Sequence, residues 1–184
     1  MPEPPALPPA RAFDACPRCR AALPPRETLR AIECAACGFC LYFNVGLAVA
    51  GFLLDAQGQA LFLRRAREPS KGKLGLPGGF VDPGESAEAA LHREVDEETG
   101  LTLTRIAFLA SFPNTYPYRG ILYPTVDLYF LAAAQGALRL QPREVEAVLW
   151  RDPATLDLSE VAFDSLRAAL DAYRTRAPSA RFAP

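Results

Sequence analysis

Three glutamates in the segment Leu91-His92-Arg93-Glu94-Val95-Asp96-Glu97-Glu98 have the types and spacing to do chemistry. On a helix, Glu94, Glu97 and Glu98 stand at i, i+3 and i+4 and share one face. Glu94 and Glu98 repel at that spacing, by about 0.2–0.5 kcal/mol in an isolated helix, and a bound cation is the natural compensation. A cluster of hard oxygen donors selects magnesium or manganese over zinc. Just upstream, Leu76-Pro77-Gly78-Gly79 supplies a loop in which backbone can approach a ligand closely, because two residues lack Cβ. Such a loop beside a carboxylate helix is a place to hold metal ions against a diphosphate, neutralising its charge and activating water. The plain alternative is a solvated acidic helix face, and the spacing of the whole surrounding segment argues against it.

The cysteines form a second constellation. All five lie between Cys16 and Cys40, and Cys16-Pro-Arg-Cys19 and Cys34-Ala-Ala-Cys37 are two CxxC pairs fourteen residues apart. Each pair can present two thiolates from one tight turn, and two turns complete a tetrahedral zinc site. Gly38 suits the sharp bend of the second turn. Four thiolates leave no open coordination position, so this zinc is expected to be structural. Cys40 then reads as a spare thiol. A redox pair is the weaker rival, since two pairs in a segment poor in apolar residues need something to hold them folded.

The elements that must position these groups follow from composition and periodicity. Residues 1–12 read as a flexible, proline-rich tail, residues 13–42 as the zinc-binding segment, residues 43–175 as an α/β domain, and residues 176–184 as a C-terminal tail. Val45 to Leu54 is expected as a buried strand. Asp55 to Gln59 reads as a hairpin turn, and Ala60 to Arg65 as the return strand. Pro69 to Gly84 reads as a loop. Glu85 to Thr99 has helical composition, with Gly100 as C-cap. Strands are expected at Leu101 to Phe112, Val126 to Ala132 and Val145 to Trp150. A last amphipathic helix spans Leu158 to Arg174, with Ala162, Leu166, Ala169, Leu170 and Tyr173 on one face.

Gly79 to Leu101, GFVDPGESAEAALHREVDEETGL, matches the 23-residue Nudix box GX5EX7REUXEEXGU, where U is apolar aliphatic. Gly79, Glu85, Arg93, Glu94, Val95, Glu97, Glu98, Gly100 and Leu101 occupy the specified positions. With the preceding strand, the Pro-Gly-Gly lead-in and the Trp150 segment, the chain resembles the Nudix hydrolases over most of residues 43–175. Leu74 departs from the Trp that many members carry near there, a matter of packing. The resemblance implies an α/β/α sandwich around a mixed sheet and hydrolysis of a nucleoside diphosphate linked to another moiety. It implies that Glu94, Glu97 and Glu98 bind catalytic magnesium with help from the Gly79 carbonyl. Glu85 would add to the metal shell, and Arg93 would brace the acids. The general base stays open among Glu98, Glu144 and Glu146.

A zinc ribbon ahead of a Nudix box resembles the NADH pyrophosphatase branch, whose members carry a Ser-Gln-Pro-Trp type motif after the box. Ser111 to Tyr118 keeps serine and proline but not glutamine and tryptophan. Tyr116, Pro117 and Tyr118 fit both an ADP-ribose marker and a dinucleoside-polyphosphate marker, so the substrate stays open among NADH or NAD, ADP-ribose and dinucleoside polyphosphates. A homodimer is expected by analogy with related zinc-ribbon enzymes. Two other readings are a nucleotide-binding sensor or scaffold that does not cut, and RNA decapping.

His92 is expected on an exposed helix surface and Trp150 in the core. Arg64 and Arg65 end a strand, where either reaches a phosphate or lies solvated. The net charge of −1 gives no basic surface for long nucleic acid. The first ten residues hold five prolines and lack the pattern of a signal peptide. The longest apolar run is about half a membrane span. The chain is therefore expected to be soluble and cytoplasmic, acting on a small nucleotide.

Overall fold

The computed structural model describes residues 6–25 and 30–176. The chain gathers into two compact units, one holding residues up to Gly46 with Thr115–Thr125, the other Leu47–Asn114 with residues from Val126 onward. No helix among the described residues is long and apolar enough to cross a membrane.

In the first unit, strands β1 (Ala31–Glu33) and β2 (Cys40–Tyr42) form an antiparallel hairpin behind the second cysteine pair. Apolar burial is sparse, centred on Ala10, Cys16, Ala31, Ile32 and Cys34. Residues 6–12 correct the expectation of a flexible tail. Leu7 exchanges backbone hydrogen bonds with Gly120 and Leu122, and Pro9–Ala12 make a 3-10 turn that buries Ala10. Residues 1–5 and 177–184, the rest of the two expected tails, lie outside the described residues.

The second unit contains strands β3 (Gly46–Leu53, its first residue in the other unit), β4 (Ala60–Arg65), β5 (Leu74–Gly75) and β6 (Gly78–Phe80), then helix α1 (Ala87–Thr99). Strands β7 (Thr102–Tyr118), β8 (Ile121–Gln135) and β9 (Val145–Arg151) and helix α2 (Asp164–Arg176) complete it, though β7 and β8 reach into the first unit. The strands order as β6-β3-β8-β7 and β5-β4-β9. Side chains alternate across them. Val49, Leu53, Leu61, Phe130 and Ala132 pack with Ala90, Leu91 and Val95 of α1. Their neighbours Phe52, Phe62, Tyr129 and Leu131 pack with Leu166, Ala169 and Leu170 of α2. Strands that bury both faces therefore carry one helix on each side, the α/β/α arrangement around a mixed sheet.

Local chemistry sets the ends of α1. The Ser86 hydroxyl accepts from the Ala89 N–H, and Gly100 takes a left-handed conformation while donating to the Asp96 carbonyl. Helix α2 is fixed differently. Ser165 Oγ donates to Asp127 Oδ2 at 2.6 Å and accepts from the Tyr129 hydroxyl at 2.9 Å, while Asn114 donates to the same carboxylate at 2.8 Å.

Three expectations needed revision. The helix expected from Leu158 starts at Asp164, because Val161 bridges to Leu74 and Ala162 donates to the Leu74 carbonyl, which leaves Leu158–Glu160 as a separate 3-10 turn. The segment expected as a loop over Pro69 to Gly84 contains β5 and β6. The strands expected at Leu101 to Phe112 and Val126 to Ala132 are longer, meeting at an Arg119-Gly120 turn with positive φ at both residues. Pro113, Pro117 and Pro124 hide that extension from a reading by propensity.

Gly78 is the narrowest point of this frame. Its φ is +150°, and a Cβ there would lie 2.0 Å from the Val49 carbonyl oxygen on β3. Gly78→Ala is expected to lower the melting temperature sharply, since the strained backbone alone costs about 1–3 kcal/mol. Thermal unfolding followed by circular dichroism checks this, and a melting point near the parent's refutes it.

Candidate active site on the carboxylate helix

Arg93 organises the acidic face of α1. Its Nε and one terminal nitrogen donate to both oxygens of Glu85, at 2.8 and 2.9 Å. The other terminal nitrogen donates to Glu94 Oε1 at 2.8 Å and reaches Glu97 Oε2 at 3.5 Å. The first also donates to the Phe80 carbonyl at 3.0 Å. One planar fork thus ties the helix to the chain that leads into it. The Arg93 hydrogen bonds, helped by the Asp82 N–H, hold the Glu85 carboxyl down to about 2. The same carboxylates push the Arg93 guanidinium further above its ordinary value.

Glu98 is held by the backbone rather than by this fork. Its Oε2 accepts from the Gly78 N–H at 2.9 Å. Burial, and then the charges of Glu94 and Glu144, push its carboxyl up to about 8 against the lowering effect of that N–H. Burial also raises Glu94, against the pull of Arg93. Glu94 rests on Gly79, where a Cβ would stand 2.3 Å from Oε1. Glycine at 79 therefore lets the carboxylate lie directly on the backbone.

Glu144 joins the group from a turn beyond β8. The Gln141 N–H bonds the Glu98 carbonyl at 3.3 Å, the Glu144 N–H bonds the Gln141 carbonyl, and the Ala66 N–H bonds the Glu144 carbonyl at 2.9 Å. The Glu144 carboxylate pairs with Arg67 at 2.8 Å. Glu146 is not brought in. It is exposed on β9 opposite the register shift between Arg64 and Arg65, a bulge that aims it elsewhere. Five carboxylates, those of Glu85, Glu94, Glu97, Glu98 and Glu144, thus gather where Arg93 and Arg67 are the paired guanidiniums. The excess of hard oxygen donors over paired guanidiniums has the chemistry to hold a divalent cation.

His92 is exposed, as expected, and Trp150 packs half-buried against the α1 cluster. Leu74 is fully buried. Arg64 and Arg65 brace the loop after β4, donating to the Gly72 and Pro69 carbonyls at 2.7 Å each. Arg67 escaped the sequence reading because an arginine in a polar loop carries no spacing signal.

In the first unit, Cys16, Cys19, Cys34 and Cys37 place their sulfurs within 4.8 Å of one another, without Cys40. The two turns are copies. Arg20 N–H bonds the Cys16 carbonyl and Gly38 N–H the Cys34 carbonyl, with φ of +65° and +69°. Gly38 meets this conformation freely, whereas Arg20 holds it as a residue with a Cβ. Four sulfurs so placed could hold one metal ion.

The NUDIX domain family profile matches residues 45–171, and the chain belongs to the Nudix family. A relative named NAD-capped RNA hydrolase NudC, from Deinococcus radiodurans, is 32% identical over 88% of this chain and 56% of its own length. An ADP-ribose pyrophosphatase from Methanocaldococcus jannaschii is 44% identical over 33% of this chain and 36% of its own. The chain thus spans about half or less of the curated relatives it matches. Among solved structures, a MutT NUDIX hydrolase from Burkholderia pseudomallei superimposes with a TM-score of 0.61 at 29% identity, over 70% of this chain and 97% of that one.

Glu98 makes the electrostatics testable. The folded chain holds the Glu98 proton up to about pH 8, against an ordinary value of 4.5. Folding thus retains a proton that the unfolded chain has lost, so metal-free stability falls as pH rises through that window and levels off above it. Glu98→Gln keeps an acceptor for the Gly78 N–H and has nothing to ionise. Without magnesium or manganese it is expected to melt above the parent, with a gap that widens towards pH 8. Melting curves across the window check this, and a gap that closes as pH rises contradicts it.

Proposed function

We propose that the chain is a divalent-metal-dependent pyrophosphohydrolase that cleaves the diphosphate of a nucleoside diphosphate linked to another moiety. The observation that carries this is the gathering of Glu85, Glu94, Glu97, Glu98 and Glu144 beside the Gly78-Gly79 backbone, with more carboxylate than paired guanidinium. Glu94, Glu97 and Glu98, with the Gly79 carbonyl and Glu85, would hold magnesium or manganese. That ion supplies charge neutralisation on the diphosphate and a water of lowered pKa. Arg93 fixes the orientation of Glu85 and Glu94. Glu98 or Glu144 would take the proton from water, and the exposure of Glu146 on β9 speaks against it.

We favour an NAD-type dinucleotide among the substrates. The relative named NAD-capped RNA hydrolase matches over 88% of the chain, and the ADP-ribose pyrophosphatase supports the same chemistry over a shorter stretch. Both names describe an adenosine joined through a diphosphate to a second ribose-containing group. Cys16, Cys19, Cys34 and Cys37 would hold a structural zinc ion, supported by the closed sulfur cluster and the sparse apolar core around it.

Two measurements test the reading. Metal analysis is expected to find one zinc per chain, and freely titratable thiols without zinc in the folded protein would remove that site. Glu97→Gln and Glu98→Gln are each expected to cut magnesium-dependent turnover by about 100-fold or more, on whichever of NADH, NAD, ADP-ribose and dinucleoside polyphosphates the parent cuts. Near-normal turnover in both variants, or no hydrolysis of any of these by the parent, defeats the catalytic assignment.

A further inference from the structure

The loop from Ala66 to Lys73 is built as a stiff arm. The Arg65 N–H bonds the Lys73 carbonyl at its base, and the Gly72 N–H bonds the Arg65 carbonyl. Arg64 and Arg65 donate to carbonyls within it, Ser70 Oγ donates to the Ala162 carbonyl, and Lys73 Nζ donates to the Ser159 carbonyl. The Arg65 guanidinium also lies over the Phe163 ring, 5.1 Å from its centre. Most of this hydrogen bonding shapes the arm, although the Arg65 charge also reaches Glu98. Arg67 is used differently: its side chain is 58% exposed, and it pairs with Glu144 across 2.8 Å.

That partner is one of the cluster carboxylates, and its charge is felt by both Glu94 and Glu98. Without a cation, the Glu144 carboxylate stands near Glu94 at the edge of the cluster, and Arg67 offsets its charge. A cation among these carboxylates competes with Arg67 for Glu144. With Glu144 drawn to a cation, the guanidinium would lose its partner at the edge of the carboxylate cluster. A planar guanidinium is well matched to phosphate oxygens.

The geometry points to Arg67 as a phosphate-binding residue held in reserve: it occupies Glu144 while the cation site is unfilled and is released to the diphosphate when the cation arrives. This rests on the metal-dependent reading above. Metal binding and diphosphate binding become coupled through one ion pair, because each step removes the competitor of the other.

The two halves of the exchange have opposite signs, which a merely structural arginine would not produce. Removing Arg67 frees Glu144, so manganese alone is expected to bind more tightly to Arg67→Ala, by about two- to fivefold for a half-exposed pair. Inorganic pyrophosphate is expected to bind the manganese-loaded variant more weakly, by about tenfold or more, the loss of a charged hydrogen bond. Free manganese is read by electron paramagnetic resonance and pyrophosphate by calorimetry, on the full chain. Arg67→Gln serves as a second truncation, and melting curves show that each variant is folded. Manganese affinity that is unchanged or weaker in both variants, or pyrophosphate affinity that does not fall, overturns the proposal. Glu98→Gln runs alongside. If it leaves manganese binding at the parent's level, or the parent binds no manganese, the metal reading itself fails; if it weakens binding while the Arg67 variants do not behave as stated, only the Arg67 assignment fails.

Discussion

Five carboxylates held close together is an arrangement that costs folding free energy, and much of the second unit is organised around tolerating it. Arg93 does the largest share. Its five donors form a rigid fork that meets Glu85, Glu94 and Glu97 and still reaches the Phe80 carbonyl. A lysine would offer a single point of charge and could not bridge helix, entry loop and strand together. The fork does not extend to Glu98, which instead has one backbone N–H and a raised proton affinity. The imbalance left over is what a divalent cation would relieve.

The frame explains how such a cluster can be carried without unfolding. Helix α1 buries Ala90, Leu91 and Val95 on one side and presents its glutamates on the other. The stabilising burial and the destabilising charge are therefore on different faces of the same thirteen residues. Gly78 and Gly79 make the other half of the compromise. One lets β6 approach β3, where a Cβ would strike the Val49 backbone, and the other lets Glu94 lie on the chain, where a Cβ would displace its carboxylate. The backbone thus serves as part of the site's wall.

The thiol cluster solves a separate problem in the first unit. That unit has few buried apolar side chains, so hydrophobic burial there is small. Its two turns repeat the same hydrogen bonds with a glycine in one and an arginine in the other. Arg20 holds its positive φ in the turn that carries Cys16 and Cys19, and a metal ion on the four sulfurs would help to enforce it.

The sequence by itself determined the elements whose signals are local. The helix with its serine cap and glycine stop, the strand Ala60–Arg65, both CxxC turns and the shared face of Glu94, Glu97 and Glu98 were legible from spacing, because period, caps and turn residues act within a few positions. The long β7–β8 hairpin was not, since its prolines look like breakers until a partner strand is present. The late start of α2 was not either, because a long-range bridge from Val161 to Leu74 holds the preceding turn apart. Within the site, tertiary structure alone separated Glu144 from Glu146. Two residues apart in sequence, they differ by a bulge that turns one away, while backbone bonds from Ala66 and Gln141 fix the other beside Glu98. Arg67 shows the same limit: a loop arginine acquires a partner only when folding sets the half-buried Glu144 in front of it, and no local spacing encodes that distance.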